Sequence, residues 1–299
     1  MGSCIYLGVA PKYIKKESGA LNLPNITFPL FGEGFVLSFS NYFTIFGFRI
    51  FYYGPFLALG LIAGALYAMK RAKEFGLTAD NVLDFLIYAV PMALIVSRLY
   101  YVLFHNFSYF LQNPIRIITG VRDGGLTIYG VIFGAVFGAW LCSRIKKLDF
   151  FSFLDVGGLG LLLGQAIGRW GNFMNREIFG VETGLPWRMG LQTAEGTMYV
   201  HPLFLYESLW NVTGLLLLHF LFKPEKRLFK GQMFLVYLAW YGLGRMWLEN
   251  LRPSQWVMDI GASGISMNFI IALVCFVGAI AVNIILSRNV LQKRAKNAG

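Results

Sequence analysis

Gly168-Arg169-Trp170-Gly171-Asn172-Phe173-Met174-Asn175-Arg176-Glu177-Ile178-Phe179-Gly180 closes a run of apolar and glycine residues, 152–171, long enough to enter a bilayer. An arginine, two asparagines and a glutamate therefore gather where a hydrophobic segment ends. Polar groups at membrane depth are expensive and mark functional sites. An arginine fork beside side-chain amides suits a phosphate or carboxylate ligand. The stretch thus makes this a membrane protein and places its site at the end of a span.

Composition agrees. The chain of 299 residues is 57% hydrophobic and only 14% charged, where a soluble domain carries roughly 25% charged residues. It holds 28 Phe, 15 Tyr and 7 Trp, and its mean hydropathy is +0.59. The net charge of +11 does not imply a nucleic-acid partner. The basic residues stand in short groups between apolar segments, as the positive-inside rule expects. Cys4, Cys142 and Cys275 are far apart and form no metal spacing. Residues 1–20 lack the long apolar core of a signal peptide.

A membrane-spanning helix needs ~20 apolar residues. Seven segments meet this, near 51–69, 82–104, 124–143, 152–171, 203–222, 231–249 and 268–287. The expected fold is an all-α polytopic membrane protein of about seven transmembrane helices with a small extracytoplasmic head. Fourteen Lys and Arg fall on the side holding Lys70, Arg144, Lys226 and Arg294, and nine on the other. The richer side is cytoplasmic by the positive-inside rule, so the N-terminus lies outside and the C-terminus inside. Residues 1–50 form an extracytoplasmic, interfacial N-terminal segment. Residues 51–287 form the seven-span membrane domain, with 174–201 as its outer head loop, and 288–299 a basic cytoplasmic tail. No internal repeat of the kind common in transporters is present. Gly130, Gly134 and Gly138, then Gly160, Gly164 and Gly168, recur every four residues; such stripes let helix backbones approach closely.

Three further clusters carry polar residues. Tyr241, Arg245 and Glu249 stand four apart and share one helix face. Arg245 and Glu249 suit either a structural ion pair or, with Arg169 nearby, an anion site. His201-Pro202-Leu203-Phe204-Leu205-Tyr206-Glu207 puts a histidine and a carboxylate about a helix start. Asp123-Gly124-Gly125-Leu126-Thr127-Ile128-Tyr129-Gly130 opens the third span. Tyr53 stands at the start of the first span, Arg98 lies within the second, and His219 sits in an otherwise apolar one. No serine elbow, HExxH pair, phosphate loop or CxxC occurs, so neither a covalent enzyme intermediate nor a metal is expected. Two arginines, tyrosines, a histidine and several amides in an outward-facing intramembrane site suit a phosphate on a lipid head group.

These residues resemble a known family. The stretch 168–180 is similar to the prolipoprotein diacylglyceryl transferase signature G-R-x-G-N-F-x-N-x-E-x-x-G. The pieces YYG at 52–54, SRxxYV at 97–102, DGGL at 123–126, HPxxLYE at 201–207 and YGxxRxxxExxR at 241–252 follow in the family's order. The resemblance implies transfer of a diacylglyceryl group from phosphatidylglycerol to the lipobox cysteine of a preprolipoprotein. A thioether forms and glycerol phosphate leaves, without a cofactor, at the bacterial cytoplasmic membrane. It implies that Arg169, Asn172, Asn175, Glu177, Tyr53 and Arg245 bind phosphatidylglycerol. The catalytic set it suggests is Arg169, Arg245, Tyr129, His201, Tyr241 and Glu249.

The chain departs from the pattern twice. Many relatives read H-G-G where this chain has Tyr129-Gly130-Val131, so a histidine often proposed as base is a tyrosine. That role moves to His201, Tyr241 or bulk hydroxide. Ser266-Met267 is followed by Asn268 and Phe269, where many relatives carry a glutamine. The rival reading from the residues is a transporter for an anionic solute, which buried arginines and small-residue helices also fit.

Overall fold

The computed structural model describes residues 16–17, 20–21, 25–32, 34–105, 107–120, 125–193, 196–253 and 266–298. Cys4, Asp123 and Gly124 lie outside the described residues. Six short strands precede the first helix: β1 (Lys16–Glu17), β2 (Ala20–Leu21), β3 (Ile26–Thr27), β4 (Val36–Leu37), β5 (Tyr42–Ile45) and β6 (Phe48–Phe51). Then come α1 (Tyr53–Arg71), α2 (Ala79–His105), α3 (Phe107–Gln112), α4 (Arg116–Thr119), α5 (Ile128–Lys146) and α6 (Phe150–Asn175). Strands β7 (Met189–Thr193) and β8 (Gly196–Val200) lead to α7 (Leu203–Phe220), α8 (Gln232–Glu249) and α9 (Met267–Ala298).

Among the described residues, α1, α2, α5, α6, α7 and α9 are long and apolar enough to cross a membrane. The remaining expected span, 231–249, is the 18-residue helix α8. Gln232, Arg245 and Glu249 make it more polar than the other six. The last helix is longer than expected and carries the basic residues Arg288, Lys293, Arg294 and Lys296 along it. The chain forms two compact units, one holding 68–154 and the other 11–67 with 155–299.

In the first unit, α2 and α5 pack through the glycine stripe. A side-chain carbon at Gly130, Gly134 or Gly138 would sit 2.3–2.6 Å from backbone atoms of Ser97, Met92 or Tyr88. Only glycine allows that approach. Thr127 caps α5 by accepting from Gly130 N, and Ser97 Oγ contacts the Thr127 amide nitrogen at 2.7 Å. Arg98 donates to the carbonyls of Ile117 and Arg116 at 2.9 and 2.8 Å. It ties the short helix α4 to α2, a structural duty that the sequence did not specify.

In the second unit, α1 and α6 approach through facing glycines. A side-chain carbon at Gly64 would lie 2.5 Å from the Gly160 carbonyl, and one at Gly60 would lie 2.7 Å from that of Gly164. Gly168, the third of its stripe, faces open space. Helices α7 and α8 clasp through Trp210 and Trp240, stacked with centroids 4.3 Å apart. Each indole N–H donates to the other's carbonyl at 3.1 Å, and each ring lies on a glycine, Gly244 or Gly214. At the opposite end, fully buried Asp155 of α6 accepts from Gly231 N and Phe234 N, both at 2.9 Å. It also pairs with Arg227 at 3.0 Å. Asp155 therefore caps α8, satisfying amides that an apolar environment would leave bare.

The head is a four-stranded antiparallel sheet in the order β4-β3-β7-β8. The sequence placed the head in 174–201, but half its strands come from residues 26–37. Ile26, Met189, Leu191 and Val200 on the sheet bury against Phe173 at the end of α6 and Phe204 at the start of α7. Strands β5 and β6 form a separate hairpin with Phe46 and Gly47 at positive φ in its turn. Phe46 is 96% exposed, and the hairpin runs into α1 after one residue.

The glycine contacts predict an asymmetry. Gly64→Ala should destabilise the protein by about 1–3 kcal/mol, because backbone on the facing helix cannot yield. Gly168→Ala should fall within about 0.5 kcal/mol of wild type. Thermal unfolding of both variants in detergent checks this; equal melting temperatures would mean that the α1–α6 contact is not this close.

Candidate active site

The polar residues at the C-terminal end of α6 form a connected chain. Arg169 Nη1 donates to Asn172 Oδ1 at 3.3 Å, and Asn172 Nδ2 donates to Glu177 Oε1 at 3.0 Å. Asn175 Nδ2 donates to the same oxygen at 3.2 Å, while its own Oδ1 is buried without a partner. Glu177 reaches back to the helix because Arg176 and Ile178 both take left-handed backbone, with φ of 51 and 54 degrees. Such conformations cost non-glycine residues of order 1–3 kcal/mol and cluster at working sites. Arg176 holds the bend: its guanidinium donates to the Phe39 carbonyl at 2.7 Å and lies 3.9 Å from the Phe39 ring centroid. Burial lowers its pKa to about 10, so it stays charged at neutral pH. Burial raises the Glu177 carboxyl above its ordinary range, and the bonds from Asn172 and Asn175 oppose that rise.

The other fork of Arg169 turns to a residue the sequence did not assign to this site. Glu207, on the second turn of α7 and only 5% exposed, receives Arg169 Nη2 on Oε2 at 2.7 Å. Its Oε1 lies 3.0 Å from Arg252 Nη2 and 3.6 Å from Arg245 Nη1. Arg245 Nη2 pairs with Glu249 Oε2 at 2.8 Å, and Arg252 Nε lies 3.6 Å from that oxygen. Glu249 Oε1 accepts from Ser266 Oγ at 2.7 Å and Asn268 Nδ2 at 3.1 Å. Asn268, at the departure from the family pattern, thus supports the carboxylate that holds Arg245.

Within these ion pairs three guanidiniums face two carboxylates, one positive charge in excess; Glu177, linked to Arg169 through Asn172, adds a third carboxylate, and Arg176 at the same bend a fourth guanidinium. Arg245 and Glu249 form the ion pair that was one of the two readings of their spacing. Buried Arg245 Nη1, 3.6 Å from Glu207 Oε1, has no hydrogen bond among the described residues. Arg169 is the most accessible of the three, its side chain 25% exposed against 13% for Arg245 and 7% for Arg252. Burial lowers the Arg252 pKa to about 10, with the positive charges of Arg245 and Arg169 adding to the fall.

Other sequence-expected residues stand as follows. Tyr53 packs on the α6 backbone at Gly171, where a side-chain carbon would meet its ring at 3.0 Å. Tyr241 lies one turn before Arg245, its ring 6.3 Å from that of Tyr237. His201 Nδ1 lies 3.2 Å from the Tyr206 hydroxyl, which accepts from Trp187 Nε1 at 2.7 Å. An indole only donates, and the phenol oxygen can also accept a second bond, so the direction of the Tyr206–His201 bond follows the imidazole tautomer. Where the phenol donates, the neutral imidazole carries its proton on Nε2; burial lowers the His201 pKa. Tyr129 belongs to the other unit, at the start of α5, with its ring 6.4 Å from that of Tyr100. His219 pairs with Tyr67 at 2.6 Å, an α1–α7 contact away from the arginines.

Glu207 and Arg252 were on the page within HPxxLYE and YGxxRxxxExxR. Arg252 has a local signal, since it follows Glu249 by three residues. Glu207 has none, because its partners come from α6, α8 and the turn after α8.

The prolipoprotein diacylglyceryl transferase family model matches residues 40–285. A phosphatidylglycerol–prolipoprotein diacylglyceryl transferase of Clostridioides difficile is 39% identical over 246 residues, covering 82% of this chain and 94% of that protein. Similarly named proteins of Bacillus cytotoxicus and Bacillus mycoides are each 39% identical over 241 residues, covering 75% of this chain and 88% of theirs.

The network makes Glu207 the residue whose loss should cost most stability. Glu207→Ala leaves three neighbouring guanidiniums with Glu249 alone to offset them and Arg252 almost without solvent, a loss of about 3–5 kcal/mol for a broken buried pair. Asn268→Ala removes one of the bonds to Glu249 and should cost about 1 kcal/mol. Chemical or thermal unfolding in detergent measures both; an Asn268→Ala loss equal to that of Glu207→Ala would contradict the hub assignment.

Proposed function

The chain belongs to the prolipoprotein diacylglyceryl transferase family, and on that premise we propose how its site moves a diacylglyceryl group from phosphatidylglycerol to a prolipoprotein thiol. The observation that carries the reading is the charge balance around Glu207. One surplus positive charge and an unfilled Arg245 donor match a phosphodiester, which bears one negative charge. Arg169, the most accessible guanidinium, meets the phosphate first. Asn172 and Asn175 hold Glu177 and steady the Arg169 fork. Family membership sets aside the anionic-solute transporter.

The acceptor thiolate attacks the glycerol carbon bonded to phosphate. A C–S bond forms, the C–O bond breaks, and glycerol phosphate departs with the electron pair. Negative charge grows on the departing group, and Arg169 and Arg245 stabilise it more strongly in a low-dielectric site than in water. The nucleophile comes from the lipobox segment of the substrate, so this chain supplies none. A thiol of pKa ~8.5 is a few per cent thiolate at neutral pH, and the arginine field raises that fraction. His201, with its proton on Nε2, serves as a donor toward the substrate rather than as the base. Tyr241, one turn before Arg245, orients the lipid donor.

The site faces the outside of the bacterial cytoplasmic membrane, with the N-terminus outside and the C-terminus inside, as the excess of basic residues on the opposite side supports. The aromatic hairpin β5–β6 rests at the outer interface, where Phe46 and Phe48, 96% and 76% exposed, find lipid. Residues 51–287 carry the reaction, and 288–299 remain in the cytoplasm.

Purified protein reconstituted with phosphatidylglycerol and a lipobox peptide should yield a thioether product by mass spectrometry. Arg169→Lys should lower the rate about 100-fold, since an ammonium cannot reproduce a planar fork. Near-normal turnover would refute the phosphate clamp. His201→Gln, which keeps an N–H donor, should retain more activity than His201→Phe; an equal and severe loss in both would restore His201 as a base. A cysteine at Thr183 should react with an impermeant thiol reagent added to spheroplasts and one at Lys226 should not; reversed labelling would invert the orientation.

A further inference from the structure

The polar face of the site continues below the arginines. Gln165 stands one turn before Arg169 on α6, and Tyr241 and Tyr237 stand one and two turns before Arg245 on α8. Gln165 Nε2 donates to the Tyr237 hydroxyl at 3.0 Å, bridging the two helices. This bridge uses little of what the pair offers. The amide brings two N–H donors and a carbonyl, and the phenol one O–H. Whichever way the amide is turned, one bond consumes one of three donors and leaves two. As placed, Gln165 Oε1 is buried with no partner among the described residues, and Tyr237 is 5% exposed; turning the amide gives that oxygen the Tyr237 O–H and leaves both amide N–H donors over. The Tyr241 hydroxyl makes no hydrogen bond among the described residues. Unmet donors are costly at membrane depth, where water does not compensate them. Two helices that needed only a tether would not carry such a file of donors descending from an anion site.

Depth selects the ligand group. A rise of ~1.5 Å per residue sets Gln165 ~6 Å below Arg169 along α6, and Tyr241 ~6 Å and Tyr237 ~12 Å below Arg245 along α8. In a glycerophospholipid the ester carbonyls lie five or six bonds from phosphorus, roughly 6–7 Å of extended chain. An ester carbonyl only accepts, which is what surplus donors require. We propose that Gln165 and Tyr237, with Tyr241 above them, form a subsite for the ester carbonyls of the lipid donor, so that the enzyme selects diacyl over dialkyl lipids. This rests on the phosphatidylglycerol reading of the arginine site. An ether-linked lipid presents the same phosphate and the same reacting carbon but no carbonyl.

The test compares diester with diether phosphatidylglycerol, each diluted in phosphatidylcholine vesicles holding wild type, Tyr237→Phe or Gln165→Leu, with a lipobox peptide as acceptor. Thioether product is followed by mass spectrometry, and thermal unfolding verifies that each variant is folded. Wild type should favour the diester lipid about 10-fold in kcat/KM, the scale of one or two net hydrogen bonds. Tyr237→Phe and Gln165→Leu should bring that ratio near one. Equal use of both lipids by wild type overturns the proposal. So does a variant that slows both lipids alike and keeps the ratio, which would make the pair a helix tether. Wild type that transfers from neither lipid overturns the parent reading, and this one with it.

Discussion

Glu207 is almost wholly buried, yet its two oxygens meet guanidiniums from α6, from α8 and from the turn after α8. A carboxylate withdrawn from water needs such partners, and the arginines need it in turn. The positions of Arg169, Arg245 and Arg252 are therefore not independent. Each is set by an anion supplied by a third helix, α7, and the outer ends of α6, α7 and α8 meet there. Glu249 repeats the arrangement on a smaller scale, with Ser266 and Asn268 on its free oxygen.

That meeting point demands accuracy from the scaffold. Helix ends that drift by an ångström lose charged hydrogen bonds. The second unit supplies accuracy with contacts that allow little slack. Facing glycines fix α1 against α6, two tryptophans exchange hydrogen bonds between α7 and α8, and Asp155 locks α6 to the start of α8. The head sheet seats on Phe173 and Phe204, so its strands rest on the helices that present Arg169 and Glu207.

The chemistry follows from incompleteness rather than from any one reactive group. Two carboxylates hold three guanidiniums in place without neutralising them, and a site that is held but not neutral is prepared for an anion. Because the nucleophile arrives with the substrate protein, the enzyme needs only to position a lipid phosphate and stabilise its departure.

Much of this was legible in the chain. The spans follow from apolar length, because hydrocarbon obliges each segment to bond its own backbone. The glycine stripes announced close helix packing, and the motif at 168–180 announced the arginine and its amides, because neighbours on one helix turn are fixed by local geometry. Arg245 and Glu249 were legible for the same reason, four residues apart. What local spacing cannot encode is which distant side chains meet. Glu207 is distant in sequence from each of its three arginines, Asp155 caps a helix that begins more than seventy residues later, and strands β3 and β4 join β7 and β8 across the six intervening helices α1 to α6. Periodicity and motif spacing determined the membrane helices and the parts of the site. Only the tertiary structure decided that three arginines would share one buried carboxylate, because that choice belongs to helix packing, which brings charges together from segments with no local relation.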